Sequence, residues 1–334
     1  MWIRVAAAAV CTSLASTAAA QVLGPGDASR SIVVGSTTRT YLVHVPPSYI
    51  GQAVPLVVDM HGFTSTADQQ RSISGFLALS DARGFIATWP QGLNDAWNAG
   101  ICCGSTATDD VGFIRALVAN MKVEAAIDAR RIYATGLSNG GGMAQRLACE
   151  AADLFAASAP VAFPISISPT SACVPSRKIP VLTFMGLTDT IVAYNGGQFP
   201  SAAATFDHWR SVDLCGTEPP EVHTVSGASF CDVDTSCAPG VQVGLCSITS
   251  TSGAPFTGHI LYINPDFNVS QVAYDFLSQF ALPVPGPALP HPSATVILLA
   301  LGIVLAPLVV QRACARTTKT GAPRTSSDTS SRRR

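Results

Sequence analysis

Three residues, met in one order along the chain, have types and settings suited to nucleophilic catalysis. They are Ser138 in Gly136-Leu137-Ser138-Asn139-Gly140, Asp189 in Gly186-Leu187-Thr188-Asp189, and His259 in Thr257-Gly258-His259. A serine hydroxyl attacks a carbonyl only when a base takes its proton, and a histidine base needs a carboxylate to fix its tautomer. Gly-x-Ser-x-Gly alone is a weak pattern in a chain rich in glycine and serine, but its flanks strengthen it. Ile132-Tyr133-Ala134 reads as a short buried strand, and Met143, Ala144, Leu147 and Ala148 recur at helical spacing. A serine in a sharp turn between strand and helix has its hydroxyl presented outward, and glycines on either side let the two elements approach without Cβ clashes. The helix start offers N–H groups to a developing negative charge. One oxyanion donor is then the N–H of Asn139. The other is expected from His61-Gly62-Phe63-Thr64, with Phe63 the favoured residue.

The base and the acid are chosen by their setting. Of six histidines, His44 lies in a strand, His61 precedes the nucleophile, His208 sits in a helix, His223 opens a Cys-rich segment and His291 lies in a Pro-rich stretch. His259 alone occupies a loop just before a terminal helix. Asp189 follows an apolar strand, whereas Asp109 and Asp110 read as helix caps. Trp97 and His61 are candidates to contact substrate, Trp97 through an aromatic body with one polar tip. His61 is also a candidate to fix the loop that carries Phe63, and Trp97 to pin its own loop.

Strands and helices must position these groups. Strands are expected at Arg39–Val45 (as an edge strand), Pro55–Met60, Gly84–Pro90, Ile132–Ala134, Phe155–Phe163 and Ile179–Phe184. Helices are expected over Ala67–Ala82, from Asp109-Asp110 through Val118, after Ser138, over Thr205–Leu214 and over Val269–Leu282. Continuous apolar strands alternating with helices imply an α/β fold, with a mainly parallel central sheet covered by helices on both faces. The α/β-hydrolase fold is the version in which Gly-x-Ser-x-Gly follows a central strand and the chain order is serine, acid, histidine.

The chain has 334 residues, a formal net charge of -1 and 12% charged residues. That charge gives no basis for nucleic-acid binding, and the charged share is about half the usual ~25%. Residues 1–20 carry one early positive charge, Arg4, then an apolar run ending Ala18-Ala19-Ala20, as in a secretory signal peptide. A catalytic domain is expected over 21–282. Beyond it lie a Pro-rich linker at 283–293, an uncharged run at 294–310 and a basic tail at 311–334. Seventeen residues rise about 25 Å as a helix against a ~30 Å bilayer core. The run is either a permanent transmembrane anchor or a sorting segment cut off during surface display. In both cases the catalytic domain is exported and stands at the cell surface or outside the cell. Eight cysteines lie between the ends, and four of them (Cys215, Cys231, Cys237, Cys246) crowd into 215–246. An even number in an exported chain implies disulfides, here stapling an insertion, with the pairing left open. Zinc is the weaker alternative, since no Cys-x-x-Cys spacing or paired histidines support it. No metal and no cofactor are expected.

Six motifs occur in one order: Asp59-Met60-His61-Gly62, Trp89-Pro90-Gln91-Gly92, Trp97-Asn98-Ala99-Gly100 with Cys102-Cys103, Asp109-Asp110-Val111-Gly112-Phe113, Gly136-Leu137-Ser138-Asn139-Gly140 and Gly186-Leu187-Thr188-Asp189. Together they resemble the polyhydroxybutyrate depolymerase/feruloyl esterase group of secreted serine esterases, close to carbohydrate esterase family 1, over roughly 38–282. The resemblance implies a cofactor-free α/β-hydrolase acting on esters of hydroxy acids, ferulate or acetate, small or polymeric, with Ser138, Asp189 and His259 as its triad. Similar proteins often carry a Gly-rich segment and a Trp-Pro near the histidine, where this chain has Thr257-Gly258-His259-Ile260-Leu261-Tyr262. Two other functions fit the same residues: a serine peptidase on this fold, or a surface-displayed binding module without catalysis.

Overall fold

The computed structural model describes residues 22–165, 167, 172–249 and 258–284. The expected signal segment and everything from the linker to the basic tail fall outside the described residues. Among the described residues, no helix is long and apolar enough to cross a membrane.

Ten strands form one sheet: β1 (Gly26–Val34), β2 (Thr37–Val45), β3 (Val54–Met60), β4 (Ile86–Pro90), β5 (Ile127–Leu137), β6 (Ala157–Val161), β7 (Val181–Gly186), β8 (Val222–Ser226), β9 (Ser229–Asp234) and β10 (Val243–Ile248). Their order across the sheet is β1-β2-β4-β3-β5-β6-β7-β10-β9-β8. The run from β4 to β10 is parallel, while β1, β2, β8 and β9 pair antiparallel at the two margins. The helices are α1 (Ala67–Ile73), α2 (Phe76–Arg83), α3 (Asp110–Glu124), α4 (Asn139–Glu150), α5 (Ala202–Val212) and α6 (Val269–Leu277).

Side chains alternate along each strand, so the two faces of the sheet feed two cores. Leu56 and Val58 of β3 join Phe113, Leu117, Met143, Leu147 and Trp209 from α3, α4 and α5. Val57 between them joins Phe76, Tyr274 and Phe276 from α2 and α6. A strand buried on both faces is apolar at most positions, and all seven residues of β3 are buried, with Asp59 its one charged residue type. This is the α/β-hydrolase arrangement, a mixed sheet between two layers of helices.

The structure corrects three local expectations. Arg39–Val45 is not an edge strand, because β1 pairs along the whole of β2 outside it. The helix expected over Ala67–Ala82 is two helices, since Gly75 takes φ 73° and turns the chain between α1 and α2. Asp109 caps α3 by accepting from the Gly112 N–H at 2.8 Å, but Asp110 is no cap; it is buried and paired with Arg39 at 2.7 Å.

The Cys-rich segment supplies β8, β9 and β10, extending the sheet past β7. Cys215–Cys237 and Cys231–Cys246 staple it, the second across neighbouring positions of β9 and β10. Cys149–Cys173 and Cys102–Cys103 join the remaining four. Cys215, Asp234 and Cys237 lie close enough to hold an ion. The two sulfurs are bonded to each other, however, so the cluster offers no thiolate in this state.

Candidate active site

The nucleophile candidate sits where β5 hands over to α4. Ser138 has φ 55° and ψ -121°, a conformation that costs a non-glycine residue free energy and persists only where its surroundings fix it. They do so through backbone. The Ser138 N–H donates to the Val161 carbonyl at 2.8 Å, and its own carbonyl accepts from Gly142 N–H at 2.9 Å. A Cβ on Gly136 would lie 2.5 Å from the Met60 carbonyl oxygen, and one on Gly140 would overlap the same group. These two positions require glycine because strand, turn and helix are in backbone contact.

The candidate acid and the candidate base are brought together by a second pair of glycines. Asp189 follows β7, and His259 lies ten residues before α6. A Cβ on Gly186 would overlap the Gly258 carbonyl, and one on Gly258 would lie 2.5 Å from Asp189 N. Gly258 also has φ 77°, in the left-handed region. The two loops therefore touch main chain to main chain. His259 Nδ1 lies 2.6 Å from Asp189 Oδ2. Asp189 Oδ1 accepts from the N–H groups of Ile191 and Val192 at 2.8 and 2.9 Å, which orients the carboxylate. Asp189 is 6% exposed and His259 5%, so the pair is shielded from water except where the imidazole faces a cavity.

That cavity has a volume of about 410 Å³ and is lined by Ser138, His259, Phe63 and Leu137, with Ile191 and Ile260 among the other residues of its wall. Among the described residues, no charged side chain lines it, and His259 is the one histidine that does. His223 has a carboxylate partner too, Asp232 at 2.5 Å, but it is exposed on β8 and away from this cavity.

Phe63 follows Gly62, whose added Cβ would be 3.5 Å from Ser138 Cβ. Asn139 is the first residue of α4, where N–H groups lack intrahelical acceptors. The two expected oxyanion donors thus belong to the loop after β3 and to the start of α4.

The two expected substrate contacts are corrected. Trp97 and His61 have no exposed surface and do not line the cavity. The Trp97 indole N–H donates to the His61 carbonyl at 2.9 Å, which turns its polar tip inward. His61 Nδ1 lies 2.7 Å from the Gly62 carbonyl and its Nε2 accepts from Gly92 N–H at 2.9 Å. Both nitrogens are thereby used by backbone of the loops after β3 and β4, and burial pushes the imidazole pKa down, favouring the neutral ring. An aromatic residue in a loop motif shows its type in the sequence, whereas the direction it points is set by tertiary packing.

One buried group was missed. Asp59, at the end of β3, accepts from Gln70 Nε2 of α1 at 2.6 Å and from Trp89 Nε1 of β4 at 2.9 Å, tying both elements to the strand that leads into the His61 loop. Burial pushes its carboxyl up to about 7, against the pull of those hydrogen bonds. A carboxyl whose folded pKa exceeds its unfolded value of 3.8 holds its proton more tightly when folded. Its contribution to stability is present below pH 3.8 and is lost as pH rises to about 7. The loss amounts to something on the order of 4 kcal/mol for this group. Unfolding free energy of wild type should therefore decline from acid to neutral pH more steeply than that of Asp59→Asn. Equal slopes in urea titrations at pH 5 and pH 7.5 would remove Asp59 as a source of that dependence.

Comparison with known proteins agrees with this fold. Residues 39–192 match the family model described as Esterase PHB depolymerase. Feruloyl esterase B of Piromyces equi is 33% identical over 262 residues, covering 73% of this chain and 46% of that protein. Poly(3-hydroxyalkanoate) depolymerase C of Paucimonas lemoignei is 36% identical over 126 residues, covering 36% of this chain and 30% of that protein. This chain spans half or less of the length of both relatives. Among solved structures, acetyl xylan esterase from Aspergillus awamori superposes with a TM-score of 0.58 at 16% identity, over 75% of this chain and 99% of that one, a likeness of fold.

Proposed function

We propose that this chain is an exported serine carboxylesterase. The observation that carries the proposal is the Asp189–His259 pair, whose imidazole lines one uncharged cavity with Ser138 in its strained turn. In this mechanism Ser138 Oγ adds to the ester carbonyl while His259 Nε2 takes its proton. The N–H groups of Phe63 and Asn139 receive the oxyanion. His259 then gives the proton to the departing alcohol, leaving an acyl group on Ser138. Water, deprotonated by the same imidazole, releases the acid and restores the serine. Asp189 keeps the proton of the resting imidazole on Nδ1, so that Nε2 is free to accept.

The wall formed by Phe63, Ile73, Leu137, Ile191 and Ile260 favours a neutral, apolar acyl or aromatic group over a charged one, because a buried charge there would have no partner. That suits feruloyl, acetyl or hydroxyalkanoate esters, small or polymeric. Relatives named feruloyl esterase and poly(3-hydroxyalkanoate) depolymerase support ester over amide cleavage. Export is supported by the pairing of eight cysteines, since disulfides persist in oxidising compartments. Tethering by residues 294–310 remains a proposal from sequence. The test is to treat purified protein with a fluorophosphonate probe and to assay p-nitrophenyl acetate, methyl ferulate, a poly(3-hydroxybutyrate) suspension and a peptide p-nitroanilide. Labelling and turnover of at least one ester are expected. An unlabelled, folded protein, or one cleaving the anilide faster than every ester, would overturn the proposal.

A further inference from the structure

The two oxyanion donors belong to elements that are not consecutive in the chain. Phe63 lies in the loop after β3, and Asn139 opens α4. Both must be held to within a fraction of an ångström for their N–H groups to meet one oxygen atom. One residue is hydrogen-bonded to both elements. The Trp97 indole N–H donates to the His61 carbonyl at 2.9 Å, reaching the first loop. The Trp97 backbone N–H donates to Asn139 Oδ1 at 2.7 Å, and Asn139 Nδ2 donates to the Trp97 carbonyl at 3.0 Å, closing a two-way amide pair with the start of α4.

The first arm continues to the donor itself. His61 Nδ1 holds the Gly62 carbonyl at 2.7 Å. That carbonyl and the Phe63 N–H belong to the same planar peptide and point in opposite directions, so fixing one aims the other. Trp97 is itself immobilised. Its ring stacks on Phe113 at 6.3 Å between centroids, with the Arg39 guanidinium 3.9 Å from the same Phe113 ring. The next residue, Asn98, donates its N–H to Asp110 Oδ2 at 2.8 Å. Trp97, His61 and Asn139 are all fully buried, so water does not compete for these bonds.

We propose that Trp97 and the Asn139 side chain form a clamp that sets the distance between the Phe63 and Asn139 N–H groups. They are positioning residues for the oxyanion hole and touch no substrate. The inference rests on the serine esterase reading above. The clamp acts on an oxygen that becomes charged only in the transition state. Its loss therefore lowers kcat and leaves KM for a neutral ester nearly unchanged.

The experiment compares wild type, Trp97→Phe, Asn139→Ala and the double variant. Trp97→Phe removes the indole N–H and keeps most of the packing. Asn139→Ala removes both amide bonds and keeps the Asn139 backbone donor. Active sites are counted by fluorophosphonate labelling, and kcat and KM are measured per labelled site on p-nitrophenyl acetate. Inhibition by a trifluoromethyl ketone, whose adduct carries an oxyanion, is measured in parallel. Each single variant should lose roughly 10- to 100-fold in kcat, less than or comparable to the 10²–10³ for removing a donor outright. KM should stay within about two-fold, and the ketone should weaken in proportion to kcat/KM. The double variant should lose much less than the product of the two, because both act on one clamp. A merely structural role would lower thermal stability or the labelled fraction but leave kcat per labelled site and ketone affinity unchanged, and that result in either folded variant would overturn the clamp. Wild type without turnover that depends on Ser138 would instead overturn the esterase reading, so the two failures are distinct.

Discussion

Replacing Ser138 with alanine is expected to remove ester turnover by about 10⁴-fold or more while leaving the protein folded. The expectation follows from how the turn is made. Ser138 is held at φ 55° by backbone hydrogen bonds to Val161 and Gly142 and by the close approach of Gly136 and Gly140 to the Met60 carbonyl. None of these uses the hydroxyl. Alanine occupies the same strained backbone at much the same cost as serine, so thermal unfolding should move little. Chemistry depends wholly on the hydroxyl, because His259 has no other nucleophile to activate except water. Catalysis by the oxyanion donors and by binding alone is the residue that remains. The measurements are kcat/KM on an activated ester, fluorophosphonate labelling and the melting temperature, each on wild type and Ser138→Ala. A folded variant that keeps more than about one part in a hundred of the turnover would show that Ser138 is not the nucleophile.

The parts of this site that sequence discloses are those dictated by local rules. A strand buried on both faces is mostly apolar, which exposes β3 and β7. Glycines two before and two after Ser138 announce an elbow because no other residue fits beside the Met60 carbonyl. Asp189 and His259 are visible because each follows or precedes a recognisable element, and the structure sets them 2.6 Å apart. Gly186 and Gly258 are a further signal, since each stands where the two loops press together. What sequence hides is decided by non-local packing. β1 and β8 are only partly apolar, because sheet margins face solvent, and they carry weak patterns. The break at Gly75 depends on a left-handed conformation that a single glycine permits but does not announce. Trp97 and His61 have the chemistry of substrate contacts, yet their polar atoms are consumed by Gly62, Gly92 and each other. Side-chain direction in a long loop is settled by which partners fold against it.

Asp189→Asn is the second large effect, and its mechanism can be read atom by atom. In the wild type, Asp189 Oδ1 accepts from two backbone N–H groups, those of Ile191 and Val192, and Oδ2 faces His259 Nδ1. An asparagine in this place has one oxygen and one NH₂. Two N–H donors on the Oδ1 side compel the amide oxygen to remain there, since turning the NH₂ toward them would set donor against donor in a buried site. The NH₂ must then face His259 Nδ1. A ring nitrogen that receives a hydrogen bond is unprotonated, so the neutral imidazole carries its proton on Nε2. That is the nitrogen which must accept the proton of Ser138, and it is now occupied. The geometry survives while the tautomer is wrong, and turnover should fall roughly 10⁴-fold with little change in KM or melting temperature. His259→Ala should be nearly as damaging, since no base remains. His223→Ala should retain full turnover, although His223 also has a carboxylate partner, because it stands on β8 outside the cavity of Ser138. If Asp189→Asn keeps wild-type kcat, the carboxylate has no role in the tautomer, and if His223→Ala is the inactive variant, the base is on β8 and not in the loop before α6.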